Sequence, residues 1–178
     1  CSNMDLLPRL PVSGSPCSMR DMSRESCHEK WMRLALEQAD AASAQGDVPI
    51  GAVIVRQNEL VARAYNRRII DANPVAHAEM LAIQAAAKSL GDWRLTGCTL
   101  YVTLEPCCMC AGAIVLSRIP RLIYGAGDAK AGAVDTLYQL CSDSRLNHQV
   151  EVSSGLLAEE CSQRLTRFFA AQRALGKK

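Results

Sequence analysis

Two cysteines, Cys107 and Cys110, stand three positions apart immediately after Pro106. Because Pro favours the first turn of a helix, we expect both thiols to project from neighbouring positions on one helix face, close enough to share a metal ion. The positive end of the helix lowers the pKa of such a thiol and favours the thiolate that zinc requires. Taken alone, the pair fits two buried core cysteines as well.

A histidine and a glutamate, His77 and Glu79, flank Ala78 at the start of a second predicted helix, which Pro74 opens. Residues two apart on a regular helix point about 200° away from each other. Both side chains therefore face one site only if His77 lies in the entry turn, before the helix is established. Without the cysteines, His77 fits a structural histidine equally well, and Glu79 fits a favourable charge at a helix N-terminus.

One histidine and two cysteines make three protein ligands and leave the fourth position of tetrahedral zinc open for water, as in catalytic sites. Water bound there ionises near neutral pH, and a carboxylate beside it can carry a proton to the substrate. The residues predict one Zn²⁺ per subunit held by His77, Cys107 and Cys110, with Glu79 as the catalytic proton carrier. We interpret Cys108 as a thiol in the core or behind the ligands.

The elements that must position these side chains follow from hydrophobic periodicity. The pattern predicts a helix from His28 to Gly46, a hairpin of strands 49–55 and 60–65, a helix from Pro74 to Gly91, a strand at 98–105, a helix at 107–117, a strand at 121–126, a weak strand at 150–154 and a helix at 156–175. The alternation of strands and helices indicates parallel strands joined by crossover helices. Three other cysteines are predicted to be small buried hydrophobes in a strand and two helices: Cys98, Cys141 and Cys161.

Composition limits the class of protein. A chain of 178 residues fits one domain, which we place at 28–178, and its 49% hydrophobic and 21% charged residues are typical of a globular protein. Residues 1–27 mix Pro, Gly, Ser and charges without a period, which predicts a disordered extension. Nine cysteines, an odd number, fit a reducing cytoplasm better than a disulfide framework. No apolar run is long enough for a membrane span, and no signal core is evident. The formal charge of +2 means that any RNA binding must be local.

Several stretches carry a family resemblance. His77-Ala78-Glu79 followed by Pro106-Cys107-x-x-Cys110 is the signature of zinc nucleobase deaminases. Further matching stretches are VPIGAVIV at 48–55, NPVAHAEMLAI at 73–83, TLYVTLEPCCMCAGAI at 99–114, YGAGDAKAGA at 124–133 and LNH at 146–148. With these motifs, residues 31–169 resemble the bacterial tRNA-specific adenosine deaminases of the cytidine deaminase superfamily. Asn66 and the block from Asp128 to Gly132 are more particular to the tRNA enzymes.

The resemblance implies a three-layer α/β/α cytidine deaminase-like fold with a central mixed five-stranded sheet, and a cytoplasmic homodimer. It implies that zinc-activated hydroxide attacks C6 of the wobble adenosine of an arginine tRNA anticodon, so that inosine forms and ammonia leaves. Asn66 is expected to hydrogen-bond the flipped base, and Asp128 and Lys130 to contact the anticodon loop. Four residues are expected to bind the base as well: Val48, Pro49, Ala78 and Leu104.

The sequence departs from the pattern at Gly127, Ala170 and Gln172, which stand where some relatives carry basic residues, and this reduces the expected attraction for RNA phosphates. Two alternatives remain open. Deaminases of free guanine or cytosine use the same zinc motif, but they should be indifferent to salt, whereas RNA deamination should weaken as salt rises. A noncatalytic RNA-binding module with structural zinc would need a fourth protein ligand, and none is evident.

Overall fold

The computed structural model describes residues 19–176. The predicted extension at 1–27 lies outside the described residues up to residue 18. From Met19 the chain is helical, so the first helix, α1 (Met19–Ala44), begins before His28, and the predicted start of this helix at His28 is wrong. The segment from 19 to 27 contains neither Pro nor Gly. A helix that is already nucleated gains one backbone hydrogen bond for each further residue it fixes, and this favours its extension over a polar segment.

Five strands form one mixed sheet in the spatial order β2-β1-β3-β4-β5. They are β1 (Gly51–Arg56), β2 (Glu59–Tyr65), β3 (Cys98–Leu104), β4 (Arg121–Ala126) and β5 (Glu151–Ser154). The predicted hairpin is confirmed, since β1 pairs antiparallel with β2, and parallel pairing is confirmed for β3 with β4. However, β1 also pairs antiparallel with β3 and so separates it from β2. The alternation of elements does not reveal this insertion, because it says nothing of which strands become neighbours.

Helices cover both faces of the sheet. Besides α1 they are α2 (Ala78–Leu90), α3 (Cys108–Leu116) and α4 (Ala158–Ala174). One apolar core lies between the sheet and helices α2 and α3, and it includes the strand residues Ile54 and Leu100. The other core lies between the sheet and helices α1 and α4. It includes Val53 and Tyr101, which are adjacent in sequence to Ile54 and Leu100. Successive strand residues point to opposite faces, so the central strands are buried on both sides. The three-layer α/β/α prediction is confirmed.

Two glycines let helices approach the sheet closely. A Cβ on Gly51 would lie 2.0 Å from a backbone oxygen of α1, and one on Gly125 would lie 2.3 Å from Sγ of Cys161 in α4. Cys161, Cys98 and Cys141 are all buried, as predicted, although Cys141 lies in a turn rather than in a helix. Within the described residues, no helix is both long and apolar enough to cross a membrane.

Candidate functional site

His77 lies just before α2, as its cap, with an extended backbone at φ −77° and ψ 150°. The prediction that His77 lies in the entry turn, before the regular helix, is therefore confirmed. Because His77 is not yet in the helix, its imidazole and the Glu79 carboxyl line the same cavity. The predicted helix start at Pro74 is wrong, since residues 73–77 form a turn in which Oδ1 of Asn73 accepts a backbone N–H at 3.1 Å.

The two cysteines meet His77 at the start of α3. Cys107 caps this helix, and Cys110 lies in its first turn. Nδ1 of His77 is 3.8 Å from Sγ of Cys107 and 3.6 Å from Sγ of Cys110, and the three ligand atoms lie within 4.8 Å of one another. Tetrahedral zinc would hold two sulfurs and a nitrogen about 3.6–3.8 Å apart. The donor set and its spacing therefore fit zinc.

Cys108 does not belong to this cluster. It is exposed on α3, so the prediction of a core position is wrong. Its neighbours in sequence, Cys107 and Cys110, occupy the inner side of the first turn, and the next position along a helix turns about 100° away from that side.

The electrostatics of the cluster favour a thiolate. Hydrogen bonds with Cys110 and His77 lower the pKa of Cys107 to about 3. The same interaction with Cys107, together with burial, raises the pKa of Cys110. The hydrogen bond with Cys107 raises the pKa of the His77 imidazole. Cys107 is thus ionised at neutral pH, which is the form of cysteine that binds a metal.

Glu79 is 4% exposed and lies in the first turn of α2. Burial raises the pKa of its carboxyl above the ordinary value. A carboxyl whose pKa moves towards neutrality can both accept and release a proton during a reaction. The position and the pKa of Glu79 therefore suit general acid–base catalysis beside the metal ligands.

A cavity of 490 Å³ brings most of the predicted site residues together. In addition to His77, Glu79 and Cys107, its lining includes Val48, Asn66, Leu104, Asp128 and Lys130. Pro49 and Ala78 are fully buried and lie outside the lining, as does the buried ligand Cys110. A larger hollow of 610 Å³ lies beside β5 and contains none of the predicted site residues.

The cavity lining also includes residues that the sequence analysis did not single out, among them Arg68, Glu105 and Leu165. Phe169, which closes the matching segment, lines it too and packs edge-on against Phe168 with ring centroids 5.5 Å apart. Arg68 is exposed. Arg68 lies two residues after Asn66 in the sequence, and this closeness to a predicted base-binding residue was the signal that could have identified it.

Glu105 organises the loop that carries Asp128 and Lys130. Its carboxylate accepts backbone N–H groups from Asp128 at 3.0 Å, Val134 at 3.2 Å and Asp135 and Thr136 at 2.9 Å, and it also accepts the Thr136 hydroxyl. Burial by itself would raise the pKa of Glu105, but these hydrogen bonds outweigh it and lower the pKa to about 2. Asp128 in turn accepts N–H groups of its own loop, including that of Lys130 at 2.9 Å.

A second buried carboxylate, Asp47, holds Asn66. Oδ1 of Asp47 accepts the Asn66 Nδ2 group at 2.7 Å, and Asp47 itself is fully buried. Sequence reasoning missed both Asp47 and Glu105. Their partners lie many positions away along the chain, so no local pattern marks them.

The chain matches the model of the MafB19-like deaminase family over residues 26–173. The chain belongs to this deaminase family. The deaminase is 53% identical over 150 residues to the tRNA-specific adenosine deaminase of Bacillus subtilis (strain 168), covering 84% of this chain and 91% of that one. The protein of the same name from Haemophilus influenzae (strain Rd) is 49% identical over 151 residues, covering 84% of this chain and 87% of that one.

Solved structures resemble the deaminase as well. One, from a study of A-to-I editing by tRNA:A34 deaminases, has a TM-score of 0.74 at 45% identity and covers 76% of this chain and 99% of that one. The guanine deaminase of Nitrosomonas europaea has a TM-score of 0.69 at 22% identity, covering 94% of this chain and 100% of that one, which shows a shared fold. The family resemblance predicted from the sequence is confirmed.

Proposed function

We propose that this deaminase hydrolyses adenosine to inosine at the wobble position of a tRNA anticodon, with an arginine tRNA as substrate. One observation carries the proposal: a single cavity is lined by two members of the metal-ligand cluster, His77 and Cys107, and also by Glu79 and Asn66. Relatives at 53% and 49% identity are named tRNA-specific adenosine deaminase, which supports tRNA as the substrate class.

Zinc is the metal that we assign to His77, Cys107 and Cys110, one ion per subunit. Bound there with one position open, zinc would act as a Lewis acid and lower the pKa of a water molecule. The three residues would hold the ion at the point where α2 and α3 begin. Cys110 is buried, which protects the ligand side of the site from solvent.

Glu79 moves the protons. Its carboxylate accepts a proton from the attacking water and delivers it to ring nitrogen N1 of the base. It then takes the remaining proton of that water from the new hydroxyl on C6 and delivers it to the departing amino group. One water is consumed, a C–O bond forms at C6, the C6–N bond breaks and ammonia leaves. The raised pKa of Glu79 assists this exchange, because it brings the carboxyl closer to neutral pH.

The rest of the cavity binds the base. An adenine in an RNA loop must leave its stack to reach the metal, and an apolar wall compensates for the lost stacking. Val48, Leu104 and Phe169 form that wall, while Asn66 hydrogen-bonds the base. Pro49 and Ala78 act from behind the wall, since both are fully buried.

The nucleotides on either side of the bound base lie along the cationic side chains at the rim of the cavity. Arg68 and Lys130 are exposed at the cavity, and a neighbouring hollow of 300 Å³ shares Arg68 and Phe169 with it and adds Arg173 at the end of α4. Cations along such a path bind phosphates. Asp128 supports Lys130 by accepting the Lys130 backbone N–H.

We also propose that the deaminase acts as a homodimer in the cytoplasm. Leu116, Leu137 and Tyr138 are 67%, 52% and 57% exposed, and a partner subunit that covered them would remove apolar surface from water. Size-exclusion chromatography with light scattering tests the dimer, and a monomer at micromolar concentration would contradict it.

The test of the function uses zinc-loaded protein and an anticodon stem-loop of an arginine tRNA with adenosine at the wobble position. We expect inosine in the digested RNA from the wild type and none from Glu79→Ala. The rate at subsaturating RNA should fall steeply as salt rises, because phosphate contacts release counterions. A stem-loop with the same adenosine moved into the stem is the matched substrate control.

A free-base deaminase is the second candidate function. A solved structure in complex with 2,6-diaminopurine has a TM-score of 0.69 at 26% identity to this chain, which favours keeping this candidate. Ammonia release from guanine or cytosine, insensitive to salt and without inosine formation in RNA, would replace the tRNA proposal with this one.

A further inference from the structure

Asp47 is a fully buried carboxylate in the turn between α1 and β1. It accepts four hydrogen bonds, and all four donors are N–H groups. Oδ1 accepts from the Val48 backbone at 2.8 Å and from Nδ2 of Asn66 at 2.7 Å. Oδ2 accepts from the backbones of Ile69 at 2.7 Å and Ile70 at 3.1 Å. Oδ1 therefore binds the cavity residue Asn66, whereas Oδ2 binds the loop after β2.

The Asn66 amide has a defined orientation for a chemical reason. A carboxylate can only accept hydrogen bonds, so the Asn66 group that faces Asp47 at 2.7 Å must be the amide nitrogen. The opposite orientation would bring two acceptor oxygens together in a buried site, which is strongly unfavourable. Asp47 thereby removes the ambiguity that an amide side chain otherwise has.

Oδ1 of Asn66 is left for a ligand. It has no hydrogen-bond partner among residues 27–176, whose side chains the structure describes, whereas every buried side-chain polar atom of those residues has one. Oδ1 is therefore accessible, and Asn66, which is itself only 3% exposed, lines the cavity. At this point the cavity offers an acceptor.

We infer that Asp47 is a positioning residue that sets the base specificity of the site by fixing the Asn66 amide, so that Oδ1 accepts from an N–H group on the edge of the bound base. This inference rests on the proposed function, in which Asn66 contacts the base. Asp47 does not touch the substrate. It acts through the orientation of one amide, and the chemical class that it selects is a nucleobase with an amino or ring N–H group on that edge.

Asp47→Asn is the substitution that separates this role from a purely structural one. The new amide oxygen is best placed where it accepts the fixed N–H groups of Ile69 and Ile70, because those backbone donors cannot turn away. Its NH₂ group then faces Val48 and Asn66. Of these two, only the Asn66 side chain is free to rotate, so its amide reverses and presents NH₂ to the cavity.

The first experiment is a double-mutant cycle on kcat/KM for the wobble-adenosine stem-loop, using Asp47→Asn, Asn66→Ala and the double variant. Losing the properly oriented hydrogen bond should lower kcat/KM about tenfold in the wild-type background. In the Asn66→Ala background the same change should cost less than about twofold, because the two residues act as one unit. Equal losses in both backgrounds would overturn the inference and leave Asp47 a structural role.

Asp40→Asn is the matched control. Asp40 lies in α1, seven residues before Asp47, but its side chain is 57% exposed and pairs with Arg164 at 2.7 Å outside the cavity. We expect kcat/KM to stay within about twofold of wild type for this variant, since exposed ion pairs contribute little to stability.

A second measurement does not depend on activity. In wild-type protein labelled with ¹⁵N-asparagine, the Asn66 side-chain amide should show one downfield proton that exchanges slowly with water, identified by its absence in Asn66→Ala. The NH₂ group of the exposed Asn73, which donates no hydrogen bond to the residues that the structure describes, serves as the reference for rapid exchange. Exchange of both Asn66 protons at the Asn73 rate would overturn the inference. Absence of inosine from the wild type would instead reject the proposed function, and the amide signals would still decide the orientation of Asn66.

Discussion

Replacing Glu105 with Gln tests how much the loop beside the cavity depends on one buried carboxylate. The pKa of Glu105 falls from the ordinary 4.5 to about 2. Because the folded pKa is lowered, the carboxylate stabilises the fold above pH 4.5, and this contribution disappears as the pH falls through about 2. The lower pKa in the folded protein adds about 3 kcal/mol to the free energy of unfolding at pH 7 and about 1 kcal/mol near pH 3.

The substitution has a local consequence as well. The amide oxygen of Gln can still accept the N–H groups of Val134, Asp135 and Thr136, but its NH₂ group then faces the Asp128 N–H that Oε2 accepted at 3.0 Å. Two donors cannot bond each other. We therefore expect the loop around Asp128 to detach from the cavity while the segment at 134–136 stays in place.

The assay is urea unfolding of wild type and Glu105→Gln between pH 3 and pH 7 at one fixed protein concentration, since association adds to apparent stability. The gap in unfolding free energy between the two proteins should shrink as the pH falls. Glu151→Gln is the control: this carboxylate is 66% exposed in its pair with Arg121, and its loss should cost less than about 1 kcal/mol. A gap for Glu105→Gln that is constant with pH would refute the reasoning.

Three further predictions concern the cavity. Glu79→Gln should lower kcat by about 10²–10⁴-fold with zinc content unchanged, because it removes the proton carrier alone; rapid-quench inosine assays and metal analysis check this, and an active variant would contradict it. Cys110→Ser should lose zinc in metal analysis, whereas Cys108→Ser should retain it, since Cys110 lies against His77 and Cys108 is exposed; equal zinc content would show that the ligand assignment is wrong. A Cβ on Gly127 would make ordinary contacts at 3.7 and 3.9 Å, so an arginine fits at this position. Gly127→Arg should steepen the fall of the RNA-binding constant with salt by about 0.7 log units per tenfold rise in salt concentration. Gly127→Gln is the uncharged control and should leave this slope unchanged.

The amino-acid sequence by itself determined the elements and the metal cluster. His77, Cys107 and Cys110 belong to two helix starts, where positions a few residues apart have nearly fixed relative directions. The position of His77 before its helix followed from the same geometry, because no other arrangement lets His77 and Glu79 face one site. Helical and strand periodicity likewise located every strand and helix of residues 19–176, with errors at the boundaries.

The tertiary structure alone decided what surrounds that cluster. The insertion of β1 between β2 and β3 depends on which strands pair, and pairing is a property of the packed sheet rather than of any one segment. The bonds from Asp47 to Asn66 and from Glu105 to the loop at 128–136 join residues 19 to 31 positions apart. Such contacts arise only when packing fixes the register of several elements at once. A buried carboxylate and a solvated one look alike in the sequence, and only the fold determines which N–H groups each one meets.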